Sequence, residues 1–114
     1  MPTWLPPATA EQPNLVLTSW SAFEVLIPRL GKPTLHVAGW AVDEGSGRVS
    51  SPVVTIDERQ RRIVTRSGRV YGLNGDPCDH PDVAYLVQAW LQAFDATLLH
   101  DATQEVWCRF SAGG

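Results

Sequence analysis

The strongest constraint on the fold is a pair of short apolar runs, RIVT and RVYGL, joined through Ser67 and Gly68. Because Gly adopts positive φ at little steric cost, a Ser-Gly pair between two such runs is typical of a two-residue hairpin loop. With this pair at the tip, we expect Val64 to lie opposite Tyr71 in an antiparallel hairpin. The core face then carries Val64, Tyr71 and Leu73, and the other face carries Ile63 and Val70.

Two further runs predict a second hairpin. Residues 35–42, LHVAGWAV, place apolar side chains on both faces, as expected of a strand that is covered on both sides. After a turn at residues 44–47, the run from Arg48 to Asp57 predicts a partner strand, in which Pro52 indicates a sheet edge or a bulge. Farther on, QEVWCRF at residues 104–110 alternates and predicts a final strand that buries Cys108.

The clearest helix pattern is DVAYLVQAWLQAF at residues 82–94, where apolar side chains recur at helical spacing. We expect Asp79 to cap its N-terminus and Pro81 to lie in its first turn. Residues 15–27, LVLTSWSAFEVLI, fit either a helix or a strand, and a capping-box pattern from Ser21 to Glu24 slightly favours the helix. The stripe expected to dock on the sheet consists of Val83, Leu86, Val87, Trp90 and Phe94.

These elements indicate an α+β fold, in which one long helix packs on a four- to five-stranded, mostly antiparallel sheet arranged as a β-meander. A chain of 114 residues with 44% apolar content is long enough to bury one core without metals or disulfides. We therefore expect a single domain over residues 15–114. Residues 1–14 are expected to form a Pro-rich N-terminal arm that carries Trp4.

The composition sets broad limits on function. A formal charge of −3 and a pI near 5.5 provide no overall attraction to nucleic acid or to anionic membranes. The N-terminal residues lack the pattern of a signal peptide, and no run approaches the roughly 20 apolar residues that span a bilayer, so we expect a cytoplasmic protein. The motifs GxSxG and HExxH and the phosphate-binding P-loop are absent from the sequence.

A Cys-x-His pair, Cys78 and His80, is the main candidate for chemistry. Together with His100 and Cys108 it supplies the four ligand types of a zinc site, but such sites usually contain two close pairs and here only one pair is close. Cys78 near a helix N-terminus also has features of a nucleophile, yet no motif for an oxyanion hole accompanies it. We predict no catalytic residue, metal or cofactor, with a Cys78-based enzyme or a zinc-binding protein as an alternative.

The basic residues cluster in the middle of the chain. Six of the nine lie between residues 48 and 69, whereas residues 70–114 contain one arginine and six acidic residues. An arginine-lined β-hairpin can contact an acidic surface of a partner protein, or it can follow the phosphates of a nucleic acid, which is the second alternative. The partner-binding candidates here are Arg59, Arg61, Arg62, Arg66 and Arg69.

Two other surfaces are candidates for protein binding. The outer face of the predicted helix holds Tyr85, Gln88 and Gln92 but no Lys, Arg or Glu to keep it solvated. Trp4 lies in the Pro-rich arm, where a large aromatic side chain has no local packing partner and can anchor on another subunit or protein. A homodimer is a further expectation from these surfaces.

The runs GWAV, VSSPVVTID, VTRSGRVYGLNGDP and AYLVQAWL resemble short uncharacterised proteins of proteobacteria and of their phages or mobile elements. The resemblance covers roughly residues 35–95 and brings no reaction and no set of functional residues. It implies a phage or accessory origin, in which small domains often act by binding host or defence components. The sequence therefore predicts a small non-enzymatic accessory protein that binds another protein.

Overall fold

The fold is organised around one long strand, β1 (Leu15–Leu26), which lies in the interior of a mixed sheet. The structure, a computed structural model, describes residues 15–113. Within these residues the sheet has seven strands and is accompanied by two helices. The other elements are β2 (Pro33–Ala41), β3 (Ser46–Val49), β4 (Val53–Asp57), β5 (Arg62–Thr65), β6 (Val70–Leu73), α1 (Pro81–Ala93), β7 (Thr97–Asp101) and α2 (Thr103–Gly113).

β1 has different neighbours along its length. One edge pairs with β2 in antiparallel fashion over most of the strand. The other edge pairs first with β6, in parallel over Leu15–Leu17, and then with β7, antiparallel over Phe23–Leu26. The strand order is β3-β2-β1-β6-β5-β4, with β7 also paired to β1. A gap between β6 and β7 therefore opens along β1.

Both faces of β1 are buried, and each face belongs to its own apolar cluster. On one face Trp20 packs against Phe110 and Trp107 of α2, with ring centroids 5.7 and 6.3 Å away. On the other face Phe23 belongs to the cluster that includes Val83 of α1. Burying a side chain of this size stabilises the fold by roughly 1.5–3 kcal/mol, so the two helices hold β1 between them.

The α+β class is confirmed, whereas the prediction of a short N-terminal helix is wrong. Residues 15–26 form β1 because the strand finds hydrogen-bonding partners on both edges, and these distant pairings outweigh a local capping pattern. Glu24 lies opposite Leu35 of β2 and is not part of a capping box. The predicted four to five strands and one helix also understate the architecture of the described residues.

The hairpin of β5 and β6 is present, but its predicted register is wrong by one residue. Ile63 lies opposite Tyr71 and Val64 opposite Val70, because Thr65 and Arg69 close a three-residue loop in which Gly68 has a φ of 89°. A shift of one residue turns every side chain to the other face. The fully buried Ile63 therefore packs with Tyr71 and Leu73, the position that Val64 was expected to take.

The predicted strand over Arg48–Asp57 is two strands. β3 pairs with β2 as expected, but the chain leaves the pairing at Ser50 and β4 pairs with β5 instead. Pro52 lies in the break, consistent with its lack of a backbone donor. Its carbonyl accepts a hydrogen bond from the backbone N–H of Arg66 at 2.8 Å, which joins this loop to the β5–β6 turn.

The final predicted strand is a helix. Val106 and Phe110 of α2 are buried and lie four residues apart, Ala102 just before the helix continues this series, and the spacing outweighs the short alternation in QEVWCRF. Cys108 is consequently exposed on α2, so its predicted place in the core is wrong. The strand that precedes this helix, β7, was not predicted.

The predicted helix at residues 82–94 is confirmed as α1, but its cap is one residue later than expected. His80 is the N-cap, with φ and ψ of −136° and 123°, and its Nδ1 accepts a hydrogen bond from the Asp82 N–H. Pro81 takes the first helical position, and a residue before proline favours extended backbone. Asp79 therefore lies outside the helix.

Trp4 and the Pro-rich arm lie outside the described residues. Within residues 15–113, neither helix is long and apolar enough to cross a membrane.

Candidate functional site

The gap between β6 and β7 is closed by side chains and by the loop of residues 74–80. The Leu17 carbonyl accepts from the Asn74 N–H at 2.9 Å, and the Trp20 carbonyl accepts from the Cys78 N–H at 3.2 Å. At the β7 end, the Thr103 hydroxyl accepts from the Ala22 N–H at 3.0 Å. The backbone of β1 thus keeps its hydrogen bonds where no strand adjoins it, and the loop is fixed over the gap.

A groove lies on this side of the molecule between α1 and β7. Its cavity has a volume of about 190 Å³ and passes over Phe23 of β1. Apolar side chains form most of its walls, and Gln88 lies on its rim. The apolar lining consists of Ala22, Phe23, Val83, Ala84, Val87, Leu91 and Leu98.

One end of the groove is polar and continues into a wider cleft of about 460 Å³. Ser21, Cys78, Asp79 and Asp101 line both cavities. The Asp101 carboxylate accepts a hydrogen bond from the Thr103 N–H at 2.9 Å, which fixes it at the end of β7. Cavities of this kind, mainly apolar with a few fixed polar groups, are typical of binding sites.

The predicted Cys-x-His pair lies at this polar end, but its side chains do not form a nucleophile–base pair. The Cys78 thiol donates to the Asp79 carbonyl at 3.5 Å, and His80 uses Nδ1 to cap α1. The His80 ring also stacks on Trp40. Within residues 15–113 no hydrogen bond joins Cys78 to His80, and the geometry required for an activated thiol is missing.

The other two residues of the hypothetical zinc site lie elsewhere. His100 is held between two carboxylates, with Nδ1 3.2 Å from Glu24 and Nε2 3.2 Å from Glu105. Cys108 is exposed on α2. Over the part of the chain that is described, no three His, Cys, Asp or Glu side chains come close enough to hold a metal ion.

β7 forms an exposed edge of the sheet. It pairs with β1 on one side, and no other strand within residues 15–113 pairs with it. Two leucines on this strand, Leu98 and Leu99, are 50% and 44% exposed. Soluble proteins usually protect such an edge with charged side chains, proline or a covering element, since its free backbone groups can pair with another chain.

The surface around the groove is acidic. Residues 70–108 contain no Lys or Arg. Two of the acids, Asp79 and Asp101, lie in the groove itself. The six acidic residues of this stretch are Asp76, Asp79, Asp82, Asp95, Asp101 and Glu105.

The predicted arginine candidates lie at opposite ends of the β4–β5–β6 meander. Arg59 and Arg61 belong to the β4–β5 turn and Arg62 begins β5, whereas Arg66 and Arg69 belong to the β5–β6 turn. β5 separates the two groups by roughly 13 Å at about 3.3 Å per residue. Arg61 lies over the Trp107 ring at 5.3 Å.

The exposed face of α1 is as the sequence predicted. Tyr85 is 79% exposed, and Gln88 and Gln92 are exposed beside it. Gln88 also lines the groove, so this face continues directly into the cavity.

Comparisons with protein-family models, with curated proteins and with solved structures found no match. The candidate site residues that the sequence did not indicate are Leu98, Leu99 and Asp101, which belong to the unpredicted β7. The pair of leucines in TLLHD, between the end of one helix and the start of the next, is the signal from which an apolar edge strand can be suggested.

Proposed function

We propose that this protein is a non-enzymatic binding protein whose groove and β7 edge receive an extended, basic segment of a partner protein. The observation that carries the proposal is the apolar outer edge of β7, with which no strand in residues 15–113 pairs and which lies beside an apolar groove with an acidic end. A small accessory protein of this kind requires no catalytic group. The proposal also accounts for the absence of an assembled Cys78–His80 pair in the described residues.

The backbone of β7 provides the first part of the recognition. A partner segment that adds to a sheet edge forms main-chain hydrogen bonds whatever its sequence, and these supply affinity. β7 has five residues, enough for several such bonds, and its exposed leucines favour contact with apolar side chains. Specificity then comes from the side chains that face the groove.

Leu98 and Asp101 set the chemistry of those side chains. Leu98 lies opposite Val25 and Asp101 opposite Phe23, and both residues line the groove. A partner strand beside β7 therefore meets an apolar side chain and, farther along, a carboxylate. Opposite charges directly across two strands are favourable, so the partner is expected to place a Lys or Arg beside Asp101.

The test uses defined peptides with a fluorescent label. An eight-residue peptide of alternating valine and threonine with one lysine is expected to bind, as measured by fluorescence polarisation. The same peptide with glutamate in place of lysine should bind at least about tenfold more weakly, a difference of about 1.4 kcal/mol. Amide hydrogen exchange at residues 97–101 should slow when the lysine peptide is bound.

A matched pair of variants locates the site. Leu98→Asp is expected to abolish binding, whereas Val54→Asp should leave it unchanged, because Val54 is a similarly exposed apolar residue on β4. Equal binding of both peptides, or equal loss in both variants, would reject the proposal. Self-association that Leu98→Asp removes, without peptide binding, would instead identify a second copy of this chain as the partner.

A further inference from the structure

A third cavity lies at the C-terminal end of α1, away from the groove. Its volume is about 380 Å³, within the size range of small-molecule sites. Four segments that are distant in sequence meet around it: the β1–β2 turn, the loop after β3, the β5–β6 turn and the end of α1. Among the described residues, its lining contains no acidic side chain.

The floor of this cavity is formed by a buried side chain whose polar atoms already have hydrogen-bond partners. His36 is 1% exposed, and its Nδ1 donates to the Ser50 carbonyl at 2.9 Å while its Nε2 accepts from the Thr34 hydroxyl at 2.8 Å. Because a carbonyl can only accept, Nδ1 carries a proton, and in the neutral imidazole Nε2 is then the acceptor. Burial lowers the pKa of His36, and the nearby charge of Arg66 lowers it further. His36 thus shapes the floor but carries no charge.

Two aromatic side chains form one wall. The Trp90 ring lies 4.8 Å from the His36 ring and 5.1 Å from the Phe94 ring. Phe94 lines the cavity and is 40% exposed. The wall therefore offers two aromatic surfaces to a planar group.

The charge of the cavity comes from its rim. Arg29 and Arg66 both line it and are both exposed. Within the described residues, neither guanidinium lies within hydrogen-bonding or ion-pair distance of an acidic side chain. Two guanidinium groups beside a cavity whose described lining holds no acidic side chain create a positive potential that favours an anion.

The turn that carries Arg66 is held firmly to the wall of the cavity. The Arg66 N–H donates to the Pro52 carbonyl at 2.8 Å, and the Ser51 hydroxyl donates to the Ser67 hydroxyl at 3.1 Å. Thr65 closes the same turn by donating its hydroxyl to the Arg69 carbonyl. The backbone of Arg66 is thus fixed relative to the floor, which limits the entropy lost when its side chain engages an anion.

From this arrangement we infer that the cavity binds a small organic anion with a planar apolar ring, whose carboxylate or phosphate contacts Arg29 and Arg66 while the ring lies against Trp90 and Phe94. Guanidinium groups pair with carboxylate and phosphate oxygens through charge-assisted hydrogen bonds. The aromatic wall supplies apolar contact and ring stacking. This site is separate from the groove beside β7, and either proposal can fail alone.

The test titrates three probes of the same shape, 2-naphthoate, 2-naphthyl phosphate and the neutral 2-naphthalenemethanol. Binding is followed in nitrogen–proton spectra at the Trp90 indole N–H and at the Ser67 amide. Both anions are expected to shift these signals, and the neutral probe should bind at least about tenfold more weakly. The anion that binds more tightly shows whether the site prefers a carboxylate or a phosphate.

Matched variants decide whether the arginines are responsible. Arg66→Gln and Arg29→Gln should each weaken anion binding about tenfold. Arg59→Gln should leave it unchanged, since Arg59 is an exposed arginine at the other end of the meander. Trp90→Phe keeps an aromatic ring in the wall and is expected to weaken binding about threefold while retaining the fold, as checked by thermal unfolding.

Three results would overturn the inference. The first is a neutral probe that binds as tightly as the anions. The second is an Arg59→Gln variant that loses as much anion binding as Arg66→Gln. A single-stranded oligonucleotide that binds more tightly as its length increases, through Arg66 and Arg29, would replace the small anion with a nucleic acid.

Discussion

The imidazole ring of His80 lies flat on the indole of Trp40, with 4.6 Å between ring centroids and 8° between ring planes. His80 caps α1 and Trp40 belongs to β2, so this contact attaches the start of the helix to the sheet. It also explains why an N-cap histidine occurs where Asp, Ser or Thr is more usual. One side chain supplies both the cap acceptor and a stacking surface.

Replacing His80 separates these two roles. His80→Asn retains a cap acceptor but loses the stack, and it is expected to lower the free energy of unfolding by about 0.5–1.5 kcal/mol. His80→Ala loses both and should cost about 1 kcal/mol more, the typical value of an N-cap. Urea unfolding monitored by circular dichroism measures both values. If the two variants have the same stability, Nδ1 does not cap the helix.

The local elements of this fold could be predicted from sequence, and the distant pairings could not. α1 was predictable because Val83, Val87 and Trp90 repeat at helical spacing after Pro81, a signal contained within one segment. β1 was not, since its identity as a strand depends on β2, β6 and β7, the last of which begins 71 positions after Leu26 at Thr97. The residues of β1 taken alone fit both a helix and a strand.

The same distinction applies to the candidate sites. Tyr85 and Gln88 were identified because the exposed face of a helix follows from its period. The residues of the cavity at the C-terminal end of α1 were not grouped, although Arg66 was singled out, because Arg29, His36 and Trp90 meet it only through the tertiary fold. Spacing along the chain carries no information about such a convergence.

Gly39 allows β1 and β2 to approach closely at the bulge in β1. A Cβ atom at this position would lie 2.9 Å from Leu17 Cβ and 3.1 Å from the Thr18 carbonyl oxygen. Gly39→Ala is therefore expected to lower the free energy of unfolding by about 1–3 kcal/mol through overpacking. Gly31→Ala provides a comparison, because a Cβ there meets open space and only its positive φ is strained, at a cost of about 1 kcal/mol. A Gly39→Ala variant as stable as the unchanged protein would contradict the steric explanation.

The hydroxyl of Thr103 satisfies both backbone groups of Ala22, which is almost fully buried. It accepts from the Ala22 N–H at 3.0 Å and donates to the Ala22 carbonyl at 3.1 Å. Thr103→Val preserves the shape but leaves the N–H without this acceptor, so we expect a loss of about 1–3 kcal/mol. Thr103→Ser keeps the hydroxyl and should retain most of the stability. A valine variant as stable as the serine variant, by urea unfolding, would show that water replaces the hydroxyl.

Acid is expected to destabilise the fold through His36 before most carboxylates become protonated. Burial lowers the pKa of the folded His36 below its ordinary value of 6.5, and the Arg66 charge acts in the same direction, although the hydrogen bond to Ser50 opposes them. In the unfolded chain His36 takes up a proton near pH 6.5, so falling pH favours unfolding. The contribution of the neutral His36 to the free energy of unfolding is therefore complete above pH 6.5 and decreases below it.

The slope for one such group approaches about 1.4 kcal/mol per pH unit. Urea unfolding at pH 7.5, 6.5 and 5.5 measures the decrease within a range where carboxylates remain ionised. The His36→Asn variant is the control, because it removes the ring that changes protonation state and should lose most of this slope. Titration of the folded His36 ring near pH 6.5 by NMR would contradict this account, since a group that protonates equally in both states makes no contribution to the pH dependence of stability.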